Sequence, residues 1–466
     1  MNVRQNQHFD VIDVIDVTEG CRMAIRATPT VPDTVVSGER HGQRLGAAIW
    51  SQFVVRVASS GGILVVGGYF VDLQSRRVPI TSLLVGLISA LVYLSELLFA
   101  PLAGALSDRV GRRIFLVAGP VLGAIAMILT PGGSLGVAIP PLALVLLVIA
   151  VSRVIQGLGS GAVVPAILGI LADGTDGHPQ LRGRQMSLYE LASSGGIALG
   201  AALGPLLWGR LGVASFAALA LLYVVAAGLA LWVREPEPVQ QKRAPAGAFY
   251  LRRAGAILRH PDLALFIPAW IAANAILGVW ITAQLVFVLT SPHTIAGQRF
   301  AGSLFHQDAL LSAILGGYVL WFSLCIVVWA FTLGRLPRLP TLLVTISGSI
   351  IACAALIAMN HGASPAAFIP VVALGVFFEA GFTPAALAYL ADISQAFSAD
   401  RGLLMGLYSV ILGAGYLLGN ALGAVAAQAD SFDGLTYLTV LLAAVAMLSI
   451  GLLIWRHHTA WLPCRR

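Results

Sequence analysis

Charge is what this sequence lacks most. Only 11% of its 466 residues are Asp, Glu, Lys or Arg, against about 25% in soluble domains. That excludes an ordinary water-soluble fold. Cysteine is equally scarce. Cys21, Cys325, Cys353 and Cys464 share no metal or redox spacing, which excludes a disulfide scaffold or a zinc module. The nine histidines are scattered, so no metal site and no cofactor is expected. The apolar runs do not alternate with polar residues, which excludes a membrane β-barrel. No span end gathers a nucleophile, a base and an orienting group, so an enzyme is not expected. Residues 1–45 lack the apolar core of a signal peptide and read as a polar tail, with Met23 as an alternative start. The formal charge of +7 is explained by membrane topology, and no nucleic-acid partner is expected.

What is present is apolar sequence in long runs. Hydrophobic residues make up 58% of the chain, and stretches of about 18 or more recur along it, the mark of a polytopic all-α membrane protein. Twelve spans are expected, near 47–71, 80–103, 114–131, 140–171, 185–208, 214–233, 263–290, 309–333, 341–360, 367–391, 403–427 and 436–455. With the N-terminus inside, twenty-two basic residues fall in the inner segments. Only Arg76, Arg77, Arg210 and Arg299 fall outside. This bias predicts cytoplasmic termini, and the expected location is the bacterial plasma (inner) membrane. The expected domains are a cytoplasmic tail (1–45), a six-helix bundle (46–233), a cytoplasmic linker (234–262), a second six-helix bundle (263–456) and a short C-tail (457–466). The linker opens Pro-rich and then mixes Phe249, Tyr250 and Leu251 with Arg252, Arg253 and Arg259. It suits either a solvated connection or a basic helix on the anionic inner leaflet.

The two bundles are related by an internal repeat. A shift of 219 positions lays residues 165–204 on 384–423 with seventeen of forty matching and no gap. Chance would match leucines and alanines in apolar helices. Here Pro165, Asp173, Arg182 and Tyr189 also fall on Pro384, Asp392, Arg401 and Tyr408. Two such halves can rock about a site near the membrane midplane.

Three motifs carry a resemblance to a known family. The loop after the second span reads GALSDRVGRR, with Gly104, Leu106, Asp108, Arg109, Gly111, Arg112 and Arg113. The fourth span carries R-x-x-Q-G as Arg153, Gln156 and Gly157. The fifth carries Gly200, Gly204, Pro205 and Gly209, with Trp208 where the motif has glycine. The sequence from about 46 to 456 resembles the major facilitator superfamily, and its fifth-span motif is most similar to the drug–proton antiporter branch. The second-half echo of the first motif is GRLPRLP (334–340), without an acid. The resemblance implies a transporter of two pseudo-symmetric six-helix bundles. It implies that Asp108, Arg112 and Asp173 form a charge relay latching the outward-facing state. It further ties Arg153 to proton transfer, and Gly200, Gly204 and Pro205 to a bent helix that limits leak.

The residues support parts of this independently. Gly104 and Gly111 allow close backbone approach in a tight turn. Asp108 can then face the positive end of the eleventh helix near Gly402, while Arg109 and Arg113 also serve as inside anchors. A charge at the bilayer centre costs at least ~2.5–3.5 kcal/mol, so such residues line cavities or pair. Glu96 lies twelve residues from Asp108, about 18 Å along its helix. Arg56 lies at similar depth on the preceding span, so Arg56 and Glu96 form a candidate ion pair suited to proton coupling, with Arg153 as the third member. Glu379 stands alone in the second half, where it can hold a proton or a cationic substrate. Gln156, Asn274 and Gln284, with Trp270 and Trp280 near the last two, are the other candidates for touching substrate. Gly196, Gly200 and Gly204 also form a small-residue packing face.

The expected function is secondary active transport by alternating access, proton-coupled, exporting small amphipathic compounds from a monomer in the lipid bilayer. Alternatives are a proton-driven translocator of a lipid-like or glycolipid substrate, an uptake symporter, and a non-transporting membrane sensor.

Overall fold

The computed structural model describes residues 34–134, 136, 141–173, 179–233, 255, 258–292, 295–394 and 401–460. Most of the tail and linker, the end of the C-tail and the side chains of Asp108, Arg109 and Asp173 lie outside the described residues. The chain divides into two compact units, Met1–Gln43 and Arg44–Arg466. All that follows concerns the second.

The described residues form helices and no strand. The first half comprises α1 (Thr34–Ser75), α2 (Ser82–Val110), α3 (Arg112–Leu129), α4 (Leu142–Asp173), α5 (Pro179–Leu211) and α6 (Ser215–Leu231). The second comprises α7 (Pro261–Trp280), α8 (Ala283–Thr290), α9 (Asp308–Thr332), α10 (Arg338–Asn360), α11 (Pro365–Ala380), α12 (Phe382–Ser394) and α13 (Arg401–Ala460). We call the side where α2 ends and α7 begins the terminal face, and the opposite side the far face.

Ten helical stretches are long and apolar enough to cross a membrane. Two of them, of 44 and 48 residues, are each long enough for two crossings of about 20 residues. In the first of these, Gly212 at φ +53° separates α5 from α6. In the second, α13 reverses at Asp430 and Ser431, and Gly434 then packs directly on the Ala426 carbonyl. The arrangement is consistent with twelve crossings. The fourth span is long, as its apolar run predicts, at 32 residues.

Two expected continuous spans are broken instead. The seventh is split between α7 and α8 at Ile281–Thr282. Thr282 caps α8 by accepting the Leu285 N–H at 3.2 Å. The tenth is split between α11 and α12 at Gly381, where a Cβ would fall 2.5 Å from the Trp329 ring. Each break frees carbonyls that lipid cannot satisfy. Asn420 donates to the Gly278 carbonyl at 3.1 Å, and the Trp329 indole donates to the Phe377 carbonyl at 2.7 Å.

The repeat is visible in the packing. Gly196, Gly200 and Gly204 lie against Phe53, Arg56, Val57 and Gly61 of α1. Their repeat mates Gly415 and Gly419 lie against Asn274 and Ala275 of α7. Between α2 and α4 the contact is closer still. Gly157 faces Ser95 Oγ and the Val92 carbonyl with no room for a Cβ, and Gly161 faces Ala100 and the Glu96 carbonyl at 3.2 Å. Gly157→Ala should therefore part these helices, at an overpacking cost of about 1–3 kcal/mol. Gly228→Ala, with nothing within 4 Å, should be neutral or slightly stabilising. Melting temperatures of the purified proteins check this: equal values for the two variants would contradict the packing argument.

Candidate functional site

At mid-depth, side chains from both halves converge. Tyr93 of α2 and Tyr416 of α13 stack across the junction with ring centroids 5.4 Å apart and planes 13° from parallel. Arg56 of α1 lies beside Tyr189 of α5 and within electrostatic range of Glu96 and Tyr416. Tyr318 of α9 is near Tyr416, Glu379 of α11 and Cys353. Arg56, Glu96 and Glu379 all remain partly accessible. The cluster thus brings together Arg56, Glu96 and, beside Tyr189, Glu190 from the first half, Glu379 from the second, and tyrosines between them.

Arg56 and Glu96 are neighbours but make no direct ion pair in this conformation, and Arg56 Nε has no hydrogen-bond partner. Their helices hold them at the same depth without closing the gap. Arg153 lies apart from them. It is 2% exposed, and its Nη2 donates to Thr130 Oγ1 at 2.8 Å. It lines a small cavity between the halves with Ile63, Val66, Ser89, Val92, Tyr93, Ala283 and Asn420. Gln156, one turn along α4, is 2% exposed and lies beside Tyr223, with neither amide atom hydrogen-bonded.

Two expected cavity residues are placed elsewhere. Asn274 is buried in the contact of α7 with α13, against Gly415, and donates to its own helix at the Trp270 carbonyl, 2.8 Å away. Gln284 is buried where α8 meets α13 and α2, and donates to the Gly423 carbonyl. Both amides satisfy or wedge helix backbones, so they hold the scaffold and do not face the site. Trp270 packs on Phe266 and Phe382 in the second-half core. Trp280 donates to Thr439 Oγ1 at 3.0 Å.

Of the loop motif, Gly111 adopts φ +113° as the single residue joining α2 to α3, a conformation that favours glycine. Gly104 is not tightly enclosed: a Cβ there would meet Pro165 at an ordinary 3.5 Å. The Arg112 guanidinium lies over Gly169 of α4, and Arg113 donates to the Leu231 carbonyl at the end of α6. The second half keeps an echo of the expected relay. Arg338 in the degenerate motif pairs with Asp392, the repeat mate of Asp173, at 3.1 Å. Pro205 sits within an α5 that continues helical to Leu211. Trp208, in place of the motif glycine, packs on Gly68, Tyr69 and Phe216.

The halves touch at Leu97 and Gly413, on the terminal-face side of the tyrosine stack, and again at mid-depth and toward the far face. Gly67 packs on Ala283 and Val286, Gly86 on Ala424 and Gln284, and Gly209 on Asp308. Ser291 donates to Gln74 Oε1 at 3.1 Å. Over its length α4 packs chiefly on α2 and α3, and α12 chiefly on α10.

Sequence reasoning missed the tyrosines at positions 93, 318 and 416, Asn420, and both helix breaks. Mid-span tyrosine was the available signal, because a phenol buried in lipid-facing sequence needs a polar partner.

No curated protein matches this sequence. Solved structures resemble it in fold at low identity. The nucleoside transporter NupG superposes with a TM-score of 0.65 at 15% identity, over 88% of this chain and 98% of that one. A D-xylose-proton symporter gives 0.64 at 15%, over 90% and 97%. A mutant of a peptide transporter POT, in complex with sulfate, gives 0.60 at 18%, over 87% and 93%. The family model described as Major Facilitator Superfamily matches residues 48–376 and 298–460, nearly the whole helical region: this integral membrane protein belongs to the major facilitator superfamily.

Proposed function

We propose that the protein is a proton-coupled secondary transporter that exports small amphipathic compounds by alternating access, acting as a monomer in the bacterial plasma membrane with both termini cytoplasmic. The observation that supports this reading is the cluster of Arg56, Glu96, Tyr416 and Glu379, in which the two halves bring ionisable groups near one another through Tyr318. Glu96 carries the coupling proton and Arg56 tunes it. Arg153 organises the polar path along α4. Glu379 meets the substrate, with Gln156 lining the path on the other side. Asp108, Arg109, Arg112 and Asp173, with the turn at Gly104 and Gly111, latch the terminal face when it closes. Gly200, Gly204 and Pro205 let α5 slide closely along α1.

A lipid-like substrate is the second reading, favoured by the asymmetry of charge: most charged groups of the site lie in the first half, so a two-ended molecule would meet one polar and one apolar wall.

Both readings are tested in proteoliposomes by substrate-induced proton movement across a panel of cationic, neutral and lipid-like compounds. Export by exchange requires protons to move against the substrate. Movement in the same direction would establish an uptake symporter, and substrate flux without proton movement would sink the coupling. In the same vesicles Asp108→Asn should bind substrate normally yet cycle about two- to fivefold more slowly, since a dipole contact worth about 0.3–1 kcal/mol stabilises one of the two closed states.

A further inference from the structure

We infer that Tyr93 and Tyr416 form a ring-reading subsite: they select substrates that carry a planar aromatic ring over saturated compounds of the same charge and carbon skeleton. The inference deepens the transporter reading and rests on it for its biological meaning, but its test reads binding alone.

The two rings stand on the seam between α2 and α13, one from each half. The helices run antiparallel there in a constant register. The Leu83 N–H faces Gln428 Oε1 at 3.4 Å. A Cβ on Gly86 would fall on Ala424, and a Cβ on Gly413 would meet Leu97 at 3.4 Å. Between these two glycine contacts lie the tyrosines, with ring centroids 5.4 Å apart and planes 13° from parallel. Offset stacked rings gain free energy beyond the area they bury. Rings from different halves keep that gain only while the halves hold this register. A rocking motion that parts α2 from α13 leaves each ring with one bare face. In this conformation each ring fills the place that a flat ligand would take against the other.

The surroundings put those faces in the site. Arg56 and Glu96 lie within electrostatic range of both rings. Tyr318 lies near Tyr416 and Glu379. All three tyrosines are partly accessible. Among the described residues, their hydroxyls form no hydrogen bond and yet are not sealed off. A buried phenol ordinarily finds a polar partner, as Tyr69 does with Ser134 Oγ at 2.6 Å. These three hydroxyls remain free to donate to, or accept from, whatever enters.

Two π faces with free hydroxyls at their rims suit a flat ring with polar groups on its edge. A saturated ring is puckered. Its axial hydrogens hold it off a tyrosine face, and it has no quadrupole to match. Charge is a separate matter: Glu379 responds to the charge of the substrate and the tyrosine pair to its flatness.

The test uses the full-length purified protein in detergent, with affinity taken from the ligand-dependent rise in melting temperature. Two matched pairs separate flatness from charge. One is 2-naphthamide against decahydro-2-naphthamide, both neutral. The other is 2-naphthylmethylamine against its decahydro form, both cationic. In each pair the wild type should bind the aromatic member about tenfold more tightly. Tyr93→Phe and Tyr416→Phe keep the ring faces and should retain that preference to within about twofold. Tyr93→Leu and Tyr416→Leu should each cut it to about twofold or less. A second measurement decides the matter if the leucine variants do not fold. Protein made with 3-fluorotyrosine, its fluorine resonances assigned from the phenylalanine variants, should show ring-current shifts at positions 93 and 416 with the aromatic ligands and none with the saturated ones. No preference in the wild type, a preference retained in both leucine variants, or no ring-current shift at these two positions would each overturn the inference. Ring-selective binding with no transport in vesicles would instead count against the transport reading alone.

Discussion

Glu96→Gln is expected to abolish proton-driven substrate accumulation while leaving gradient-free exchange in place. The amide has nearly the shape of the carboxyl, so the packing of α2 on α4, where Gly161 meets the Glu96 carbonyl, should survive. What is lost is the exchangeable proton. For one coupled proton, each pH unit across the membrane sustains about tenfold accumulation, since each unit corresponds to about 1.4 kcal/mol. The variant should therefore fall from that value to none. Arg56→Ala should reproduce the effect in part, because Arg56 is the nearest base to Glu96 and acts on it through space rather than by direct contact. The measurement is gradient-driven uptake against exchange without a gradient, in vesicles with matched amounts of protein. Wild-type coupling in the surviving Glu96→Gln protein would give the carboxyl a structural role.

Much of this architecture could be read from the sequence because lipid makes strong demands. Twelve apolar runs and the 219-residue repeat follow from span length and close packing, and the described helices are consistent with them. The glycine faces were legible for the same reason: Gly196, Gly200 and Gly204 recur as Gly415, Gly419 and Gly423, and small residues are what close packing needs. The breaks at Ile281 and Gly381 were not legible. Hydropathy sums over a run and is blind to which carbonyls are freed within it. Asn274 and Gln284 were misplaced because a polar residue in a span has two uses, facing a cavity or holding a neighbouring backbone, and spacing does not separate them. Depth alone placed Arg56 and Glu96 together, but their separation depended on helix rotation. The relay through Asp108 and Asp173 stays a proposal from the motif, supported by the second-half pair Arg338–Asp392.

Glu379→Gln should weaken the binding of cationic substrates by about 10–100-fold, the range of a hydrogen bond to a charged group, and leave neutral substrates within about twofold. Glu379 sits at the end of α11, two residues before the break at Gly381. Its described surroundings are Tyr318 and Cys353, with no base among them. A carboxyl in such a place has two ways to be satisfied: it keeps a proton, or it faces a cation that the substrate brings. Proton and cationic substrate therefore compete for one group, which is the minimum that exchange requires. In the wild type, cation binding should weaken as proton concentration rises. In the variant that dependence should vanish, because glutamine binds neither. Tryptophan fluorescence reports on the site directly. The Trp329 indole donates to the carbonyl of Phe377, two residues from Glu379, and Trp321 donates to Ala373 on the same helix at 2.9 Å. Titrations with a cationic and a neutral compound at two pH values would separate the cases. Selective loss of the cation with loss of its pH dependence supports exchange at Glu379. Equal loss for both compounds, or no loss for either, would move Glu379 to a packing role beside the helix break and leave the lipid-like substrate as the better reading.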